Sequence, residues 1–205
     1  MKAIIFDFGN VVGFFDHHRA ARRLAEQGGL DADVVYRLLF GGTLEDDYES
    51  GRLTTDAYIR HVRELCKVGC SDADFRTMYS DIFWPNPDVC PLLPKLKPGY
   101  RLLLGSNTNE LHALHFLEQF AEPLRSFDDL VLSYRIGARK PKAAFFEHCV
   151  RLAGCTADEC LFIDDIAANV EGAQACGLHG VVYTGIDDLR RRLSDLGIEA
   201  ADGSR

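Results

Sequence analysis

From residue 101 onward, short apolar runs alternate with stretches of helical rhythm, and this alternation constrains the fold more than any other feature. Residues 101–104, 130–132, 160–163 and 180–183 read as buried strands. Apolar positions at helical spacing predict helices through Leu111, Leu114 and Leu117, over 141–152, over Val170 and Ala173 as far as Gly177, and over Leu189 and Leu193. Strands separated by helices imply an α/β fold, a doubly wound parallel sheet of Rossmann-like form with helices on both faces. Residues 3–6, near the start, supply a fifth strand. Pro91 and Pro94 forbid a regular long helix over 88–96.

Between residues 15 and 84 the strand signals disappear. Asp16 can cap a helix carrying Ala20, Ala21 and Leu24 that ends at Gly28-Gly29. Val34, Val35, Leu38 and Leu39 form a second apolar face. Thr54 can cap a helix holding Tyr58, Ile59, Val62 and Leu65. Ser71-Asp72-Ala73-Asp74 resembles a capping box ahead of Phe75, Met78, Tyr79 and Ile82. Residues 15–84 therefore read as an all-helical cap subdomain inserted into a core made of 1–14 and 85–205. The tail, 199–205, is expected to fray.

The formal net charge of −8 argues against a nucleic-acid surface and against an anionic membrane face. No apolar stretch reaches the length of a membrane span. The apolar start could pass for a signal peptide, but Asp7 interrupts it and no small-residue cleavage pattern follows. Seven cysteines, an odd number without paired spacing, favour neither a disulfide framework nor zinc. Reduced thiols and a cytoplasmic location are expected, with the protein a monomer or homodimer.

The polar residues at the strand ends carry the chemistry. Asp7 closes Ile4-Ile5-Phe6 and is followed by Phe8-Gly9; a carboxylate there can be a nucleophile or a metal ligand, or can simply cap the turn. The next strand ends in Gly105-Ser106-Asn107-Thr108-Asn109, the third leads to Gly137-Ala138-Arg139-Lys140-Pro141, and the fourth ends in Asp164-Asp165. In a doubly wound sheet these ends converge on one crevice. Phosphoryl transfer suits the set, because a carboxylate and a phosphate meet only if cations cancel their repulsion. Asp7, Asp165 and a backbone carbonyl at Gly9 can hold Mg²⁺, Lys140 supplies a fixed ammonium, and Ser106 with the Asn107 N–H can hold phosphate oxygens. Asp164 is a secondary candidate, as metal neighbour or N-cap. Asn169, one turn later, can orient Asp165 or Lys140, or can be a plain helix-face residue.

The ordered set Phe6-Asp7-Phe8-Gly9, Leu104-Gly105-Ser106-Asn107, Arg139-Lys140-Pro141 and Phe162-Ile163-Asp164-Asp165 resembles the haloacid dehalogenase (HAD) superfamily of aspartyl-phosphate hydrolases with a helical cap. Ser106-Asn107-Thr108-Asn109 and Asp164-Asp165-Ile166-Ala167-Ala168-Asn169 are similar to its glucose-1-phosphate phosphatases and to the phosphatase domain of soluble epoxide hydrolases. The resemblance implies a Mg²⁺-dependent phosphatase acting on a small phosphorylated metabolite such as a sugar phosphate. It makes Asp7 the nucleophile and Asp165 a magnesium ligand, with Ser106, Asn107 and Lys140 holding phosphate. A metal-independent haloacid dehalogenase and a catalytically weak phospho-ligand binding protein are the alternatives.

One position departs from the family pattern. Most phosphatases of the superfamily carry a second Asp two residues after the nucleophile, and here that residue is Gly9. Its general-acid role is worth roughly 10²–10⁴-fold. Either the leaving group needs little protonation, or a cap residue or water substitutes, or turnover is slow or absent. Among the histidines, His17-His18 stand where cap meets core, in reach of a substrate, whereas the pair His112 and His115 is expected on the surface. Trp84 and Tyr79 are expected to pack.

Overall fold

The structure, a computed structural model, describes residues 1–201. Five parallel strands form the central sheet. β1 (Ala3–Phe6) runs along its middle. A short β2 (Gly13–Phe15) leads into five helices: α1 (His17–Gly28), α2 (Ala32–Leu39), α3 (Thr43–Glu49), α4 (Thr55–Cys66) and α5 (Asp72–Ser80). β3 (Phe83–Pro85) returns the chain, followed by one turn of helix, α6 (Leu93–Leu96), and β4 (Arg101–Ser106). Then come α7 (Glu110–Gln119), α8 (Ala121–Leu124), β5 (Asp129–Leu132), α9 (Ser133–Ile136) and α10 (Ala143–Ala153). β6 (Cys160–Asp164), α11 (Ala167–Ala175), β7 (His179–Val182) and α12 (Ile186–Asp195) complete the core. The strand order is β5-β4-β1-β6-β7.

The sheet divides the core by strand alternation. Ile4 and Phe6, with Leu102, Leu104, Leu161 and Ile163, face one apolar layer. Ala3 and Ile5, with Leu103 and Phe162, face Phe145, Phe146 and Cys149 of α10 on the other. Every one of these side chains is fully buried. Register aligns Phe6 with Leu104 on one side and with Ile163 on the other. The carboxyl ends of β1, β4 and β6 are therefore level, and the Asp7 N–H donates to Ile163 O at 2.8 Å.

The helical insert follows its sequence signals. Asp16 accepts from the His18 N–H and Gly29 closes α1 in the left-handed region; Thr54 caps α4 and Ser71 caps α5. Three features differ from the expectation. β2 and β3 pair antiparallel, Phe14 opposite Trp84, so Phe15, Phe83 and Trp84, placed with the helical cap, belong to a ribbon connecting it to the core. Three residues per strand are too few for alternation to show. α3 was not foreseen, because Gly42 offers no capping side chain. Of the second apolar face only Val35 and Leu39 are buried; Val34 and Leu38 are exposed.

Smaller corrections follow from packing. His112 is buried rather than on the surface, and Trp84 is exposed rather than packed inside. At the tail, the Glu199 N–H donates to Tyr100 Oη and the Ala201 N–H to Lys95 O, so its start is tied to the core. Residues 202–205 lie outside the described residues. All seven cysteines are free thiols. Among the described residues no helix is long and apolar enough to cross a membrane.

Candidate active site at the carboxyl edge of the sheet

Lys140 is the centre of the site. Its ammonium lies 2.6 Å from Asp7 Oδ1 and 2.7 Å from Asp164 Oδ2, and it donates to Gly105 O at 2.9 Å. All three of its protons are used, which fixes the group in place. The backbone around it is equally constrained: the Lys140 N–H donates to Asn107 Oδ1, and Asn107 Nδ2 returns a hydrogen bond to Lys140 O. Strands β1, β4 and β6 thus meet through one side chain from the loop after α9.

Asp165 completes the carboxylate set. One oxygen from each of Asp7, Asp164 and Asp165 lies within 4.8 Å of the others. Burial pushes the Asp7 carboxyl up to about 7, with Lys140 opposing and Asp164 adding to the rise. Burial works to lower the Lys140 pKa, but Asp7 and Asp164 outweigh it and hold the ammonium above its usual value. Burial also raises Asp165, against a hydrogen bond from Asn10. Three carboxylates face a single ammonium, and their hard oxygens suit a divalent cation such as Mg²⁺. Such a cation would offset the surplus negative charge.

Two residues support this set. Asn169 Nδ2 donates to both oxygens of Asp164, each at 3.1 Å. It therefore orients Asp164, not Asp165 or Lys140, because the first turn of α11 aims it back at the end of β6. Asn10, whose φ of 56° is one that Asn tolerates, donates to Asp165 Oδ2 at 3.0 Å.

The cap supplies the opposite wall. A cavity of about 250 Å³ over Asp7 is bounded by Glu45, Glu49 and His17 from the insert and by Arg139 and Asn107 from the core. Arg139 pairs with Glu49 at 2.8 Å and also with Asp46. Burial pushes the Glu49 carboxyl up to about 8, with Glu45 adding to the rise. His17 stacks on Phe40 at 4.1 Å, and burial lowers it to about 4 against Asp16. A smaller adjoining chamber, about 50 Å³, is reached past Gly9 and is walled by Phe15, Phe83, His112 and Ser106. A larger hollow of about 460 Å³ near Cys90 and Pro94 gathers no such cluster of carboxylates.

Comparison with known proteins decides the family. Residues 1–177 match the model of the haloacid dehalogenase-like hydrolases. The chain belongs to that family. This HAD-like hydrolase is 26% identical to D-ribitol-5-phosphate phosphatase of Bacteroides thetaiotaomicron, over 95% of this chain and 97% of the relative. It is 40% identical to the sesquiterpene phosphatase astK of Aspergillus oryzae, over 89% and 90% of the two chains. Among solved structures it is similar to a HAD family enzyme of Bacteroides thetaiotaomicron in its magnesium complex. That structure gives a TM-score of 0.77 and 25% identity, covering 89% of this chain and 93% of the other. The protein is a hydrolase of the phosphomonoesterase kind.

The residues read from the sequence of this HAD-like hydrolase fall into two groups. Asp7, Gly9, Asn107, Lys140, Asp165 and Asn169 share the larger cavity, with Asp164 beneath it bound to Lys140. Ser106 opens on the smaller chamber, its hydroxyl directed at Asn107 O at 3.3 Å. Sequence reasoning missed Asn10, Glu45 and Glu49, and took Arg139 only as part of a motif. Asn10 directly after Gly9, a residue type that tolerates the left-handed region, was the one signal available; Glu45 and Glu49 had none.

Proposed function

We propose that this HAD-like hydrolase is a Mg²⁺-dependent phosphatase that cleaves a small phosphorylated metabolite, such as a sugar phosphate, through an aspartyl-phosphate on Asp7. The observation that carries the reading is the Lys140 ammonium seated between Asp7 and Asp164, with Asp165 alongside. Asp7 Oδ2 is the nucleophile: its partner Oδ1 is held by Lys140 and by the Phe8 N–H at 2.6 Å, which leaves Oδ2 free to attack. The backbone N–H of Asn107 and the Ser106 hydroxyl receive the oxygens of the transferring group, and the Lys140 ammonium, its protons taken, holds that group through its charge. Asp7, Asp165 and the Gly9 carbonyl would hold Mg²⁺, which supplies neutralisation of the phosphate charge when bound. Asp164, clamped by Asn169, keeps Lys140 protonated and positioned. The cap wall of Glu45, Glu49 and His17 excludes water and selects the leaving group.

Two relatives support a phosphate ester as substrate, one named for ribitol 5-phosphate and one for sesquiterpenes. Glu45, Glu49, Asn107 and Arg139 on the lining of the 250 Å³ cavity offer hydrogen bonds to the smaller, hydroxylated class. A haloacid dehalogenase reading is weaker. A metal-independent dehalogenase would bring a carboxylate substrate to three carboxylates and one lysine with no divalent cation to offset the charge. The test is a screen of phosphorylated metabolites with Mg²⁺, with Asp7→Asn in parallel. Phosphate release by the wild type and none by the variant is expected. Halide release that ignores a chelator would establish the dehalogenase, and binding of a phosphate analogue with turnover no higher than Asp7→Asn would establish a binding protein.

A further inference from the structure

An alcohol leaves phosphorus with difficulty unless a proton reaches the bridging oxygen as the bond breaks. Asp7 cannot supply that proton if it is the nucleophile, and position 9 carries no side chain. Asp164 is committed to Lys140 and Asn169, and Asp165 is hydrogen-bonded by Asn10 on the metal side. With the Lys140 protons taken by Asp7, Asp164 and Gly105 O, the remaining titratable groups of the cavity wall are Glu45, Glu49, His17 and Arg139. The Arg139 guanidinium keeps its protons. His17 is an unprotonated imidazole, a poor acid. Glu45 accepts the Gly41 N–H at 2.6 Å and borders the outer cavity only.

Glu49 differs from all of these. It alone among the carboxylates borders both the cavity over Asp7 and the adjoining aromatic chamber, with Gly9 forming a wall of each. Although it belongs to the cap, the core holds it. Ser133 Oγ donates to Glu49 O at 2.6 Å, and Arg139 Nη2 lies 2.8 Å from Glu49 Oε2. Gly51, at a φ of +69°, brings the chain so near the core that a Cβ there would lie 2.3 Å from Tyr134 O. Backbone and side chain are thus anchored independently, as a proton-transfer group requires.

We propose that Glu49 is a catalytic residue, the proton donor to the departing alcohol and the acceptor of the proton from the attacking water. The inference rests on the aspartyl-phosphate reading. In the first step Asp7 Oδ2 bonds to phosphorus, the P–O bond to the alcohol breaks, and the Glu49 proton passes to that oxygen. In the second, water bonds to phosphorus, its proton returns to Glu49, and the Asp7 carboxylate departs, leaving inorganic phosphate. Burial pushes the Glu49 carboxyl up to about 8, which favours its protonated form at neutral pH, and Arg139, 2.8 Å away, receives the anion left after transfer.

The test compares wild type, Glu49→Gln and Asp7→Asn in Mg²⁺ on two esters, glycerol-2-phosphate and p-nitrophenyl phosphate. The nitrophenolate needs no proton to leave. For Glu49→Gln, kcat/KM on the alkyl ester is expected to fall ~100-fold or more, and on the aryl ester by less than ~10-fold. Pre-steady-state traces are expected to show one equivalent of nitrophenol released in a burst. Equal losses on both esters, or none on either, overturn the assignment of Glu49 while an inactive Asp7→Asn leaves the phosphatase reading standing. Turnover by Asp7→Asn, or none by the wild type on either ester, overturns both. Glu49→Asp provides a second variant that keeps the carboxyl one methylene back. Its alkyl-to-aryl ratio is expected to fall about tenfold or more, and an unchanged ratio overturns the proposal.

Discussion

The Phe15 ring occupies the space where a side chain at position 9 would begin: a Cβ on Gly9 would lie 2.8 Å from Phe15 Cε1. The glycine after the nucleophile is therefore tied to the ribbon that carries the chain into the cap. Gly9→Ala is expected to cost roughly 1–3 kcal/mol, the usual range for overpacking. Made in a Phe15→Ala background, the same change is expected to cost close to nothing. Urea unfolding of the four members of the cycle measures the coupling; additive effects would show that the two positions do not compete for space.

Lys140 offsets two buried carboxylates, so its removal is expected to damage the fold as well as the chemistry. Lys140→Met leaves Asp7 and Asp164 facing each other without a counter-charge, at a cost of about 3–5 kcal/mol. The loss is expected in chelator, with part of it recovered in Asp164→Asn/Lys140→Met, where one of the two charges is gone. Urea midpoints with EDTA present decide this, and a Lys140→Met midpoint equal to the wild type's would refute it.

Metal binding should appear in stability before it appears in rate. A cation held by the folded site alone stabilises by about 2.7 kcal/mol at a hundred times its Kd, which at this chain length amounts to several degrees in Tm. Melting with Mg²⁺ is expected several degrees above melting with EDTA for the wild type, and Asp165→Asn is expected to lose most of that increment. A Mg²⁺ response that survives in Asp165→Asn would place the ion elsewhere.

The sequence exposed one half of the site more clearly than the other, for a physical reason. Asp7, Ser106 and Asp164-Asp165 follow apolar runs, and parallel register alone brings such strand ends level. Lys140 was legible as a charge fixed before proline. Glu45 and Glu49 were not legible, because α3 is seven residues long and lacks a side-chain cap, and its placement comes from Ser133 and Arg139, more than eighty residues away. Asn169 was found but misdirected: helical spacing fixes the face it lies on, not which of two adjacent carboxylates it reaches. His112 was misread because its ring stacks on Tyr79 at 4.5 Å and on His17 at 5.6 Å, contacts that form only once the cap has closed over the core.

That imidazole stack gives stability a pH dependence whose sign is fixed. Burial holds His17 down to about 4 and His112 well below its ordinary value. In the unfolded chain each titrates near 6.5, so between about 6.5 and 4 the unfolded state binds more protons than the folded one. The stability they confer is fully present above about 6.5 and is lost as pH falls towards 4. For His17 the loss amounts to ~3 kcal/mol over that window. His17→Phe keeps an aromatic ring against Phe40 and removes the titrating group. Relative to the wild type, its urea-derived stability is expected to rise as pH falls from about 6.5 to about 4, a difference in which the contribution of His112 and the opposing contributions of Asp7 and Glu49, whose raised carboxyls take up protons in the folded state over the same window, cancel. A difference that stays constant with pH would show that His17 takes up its proton without opposing the fold.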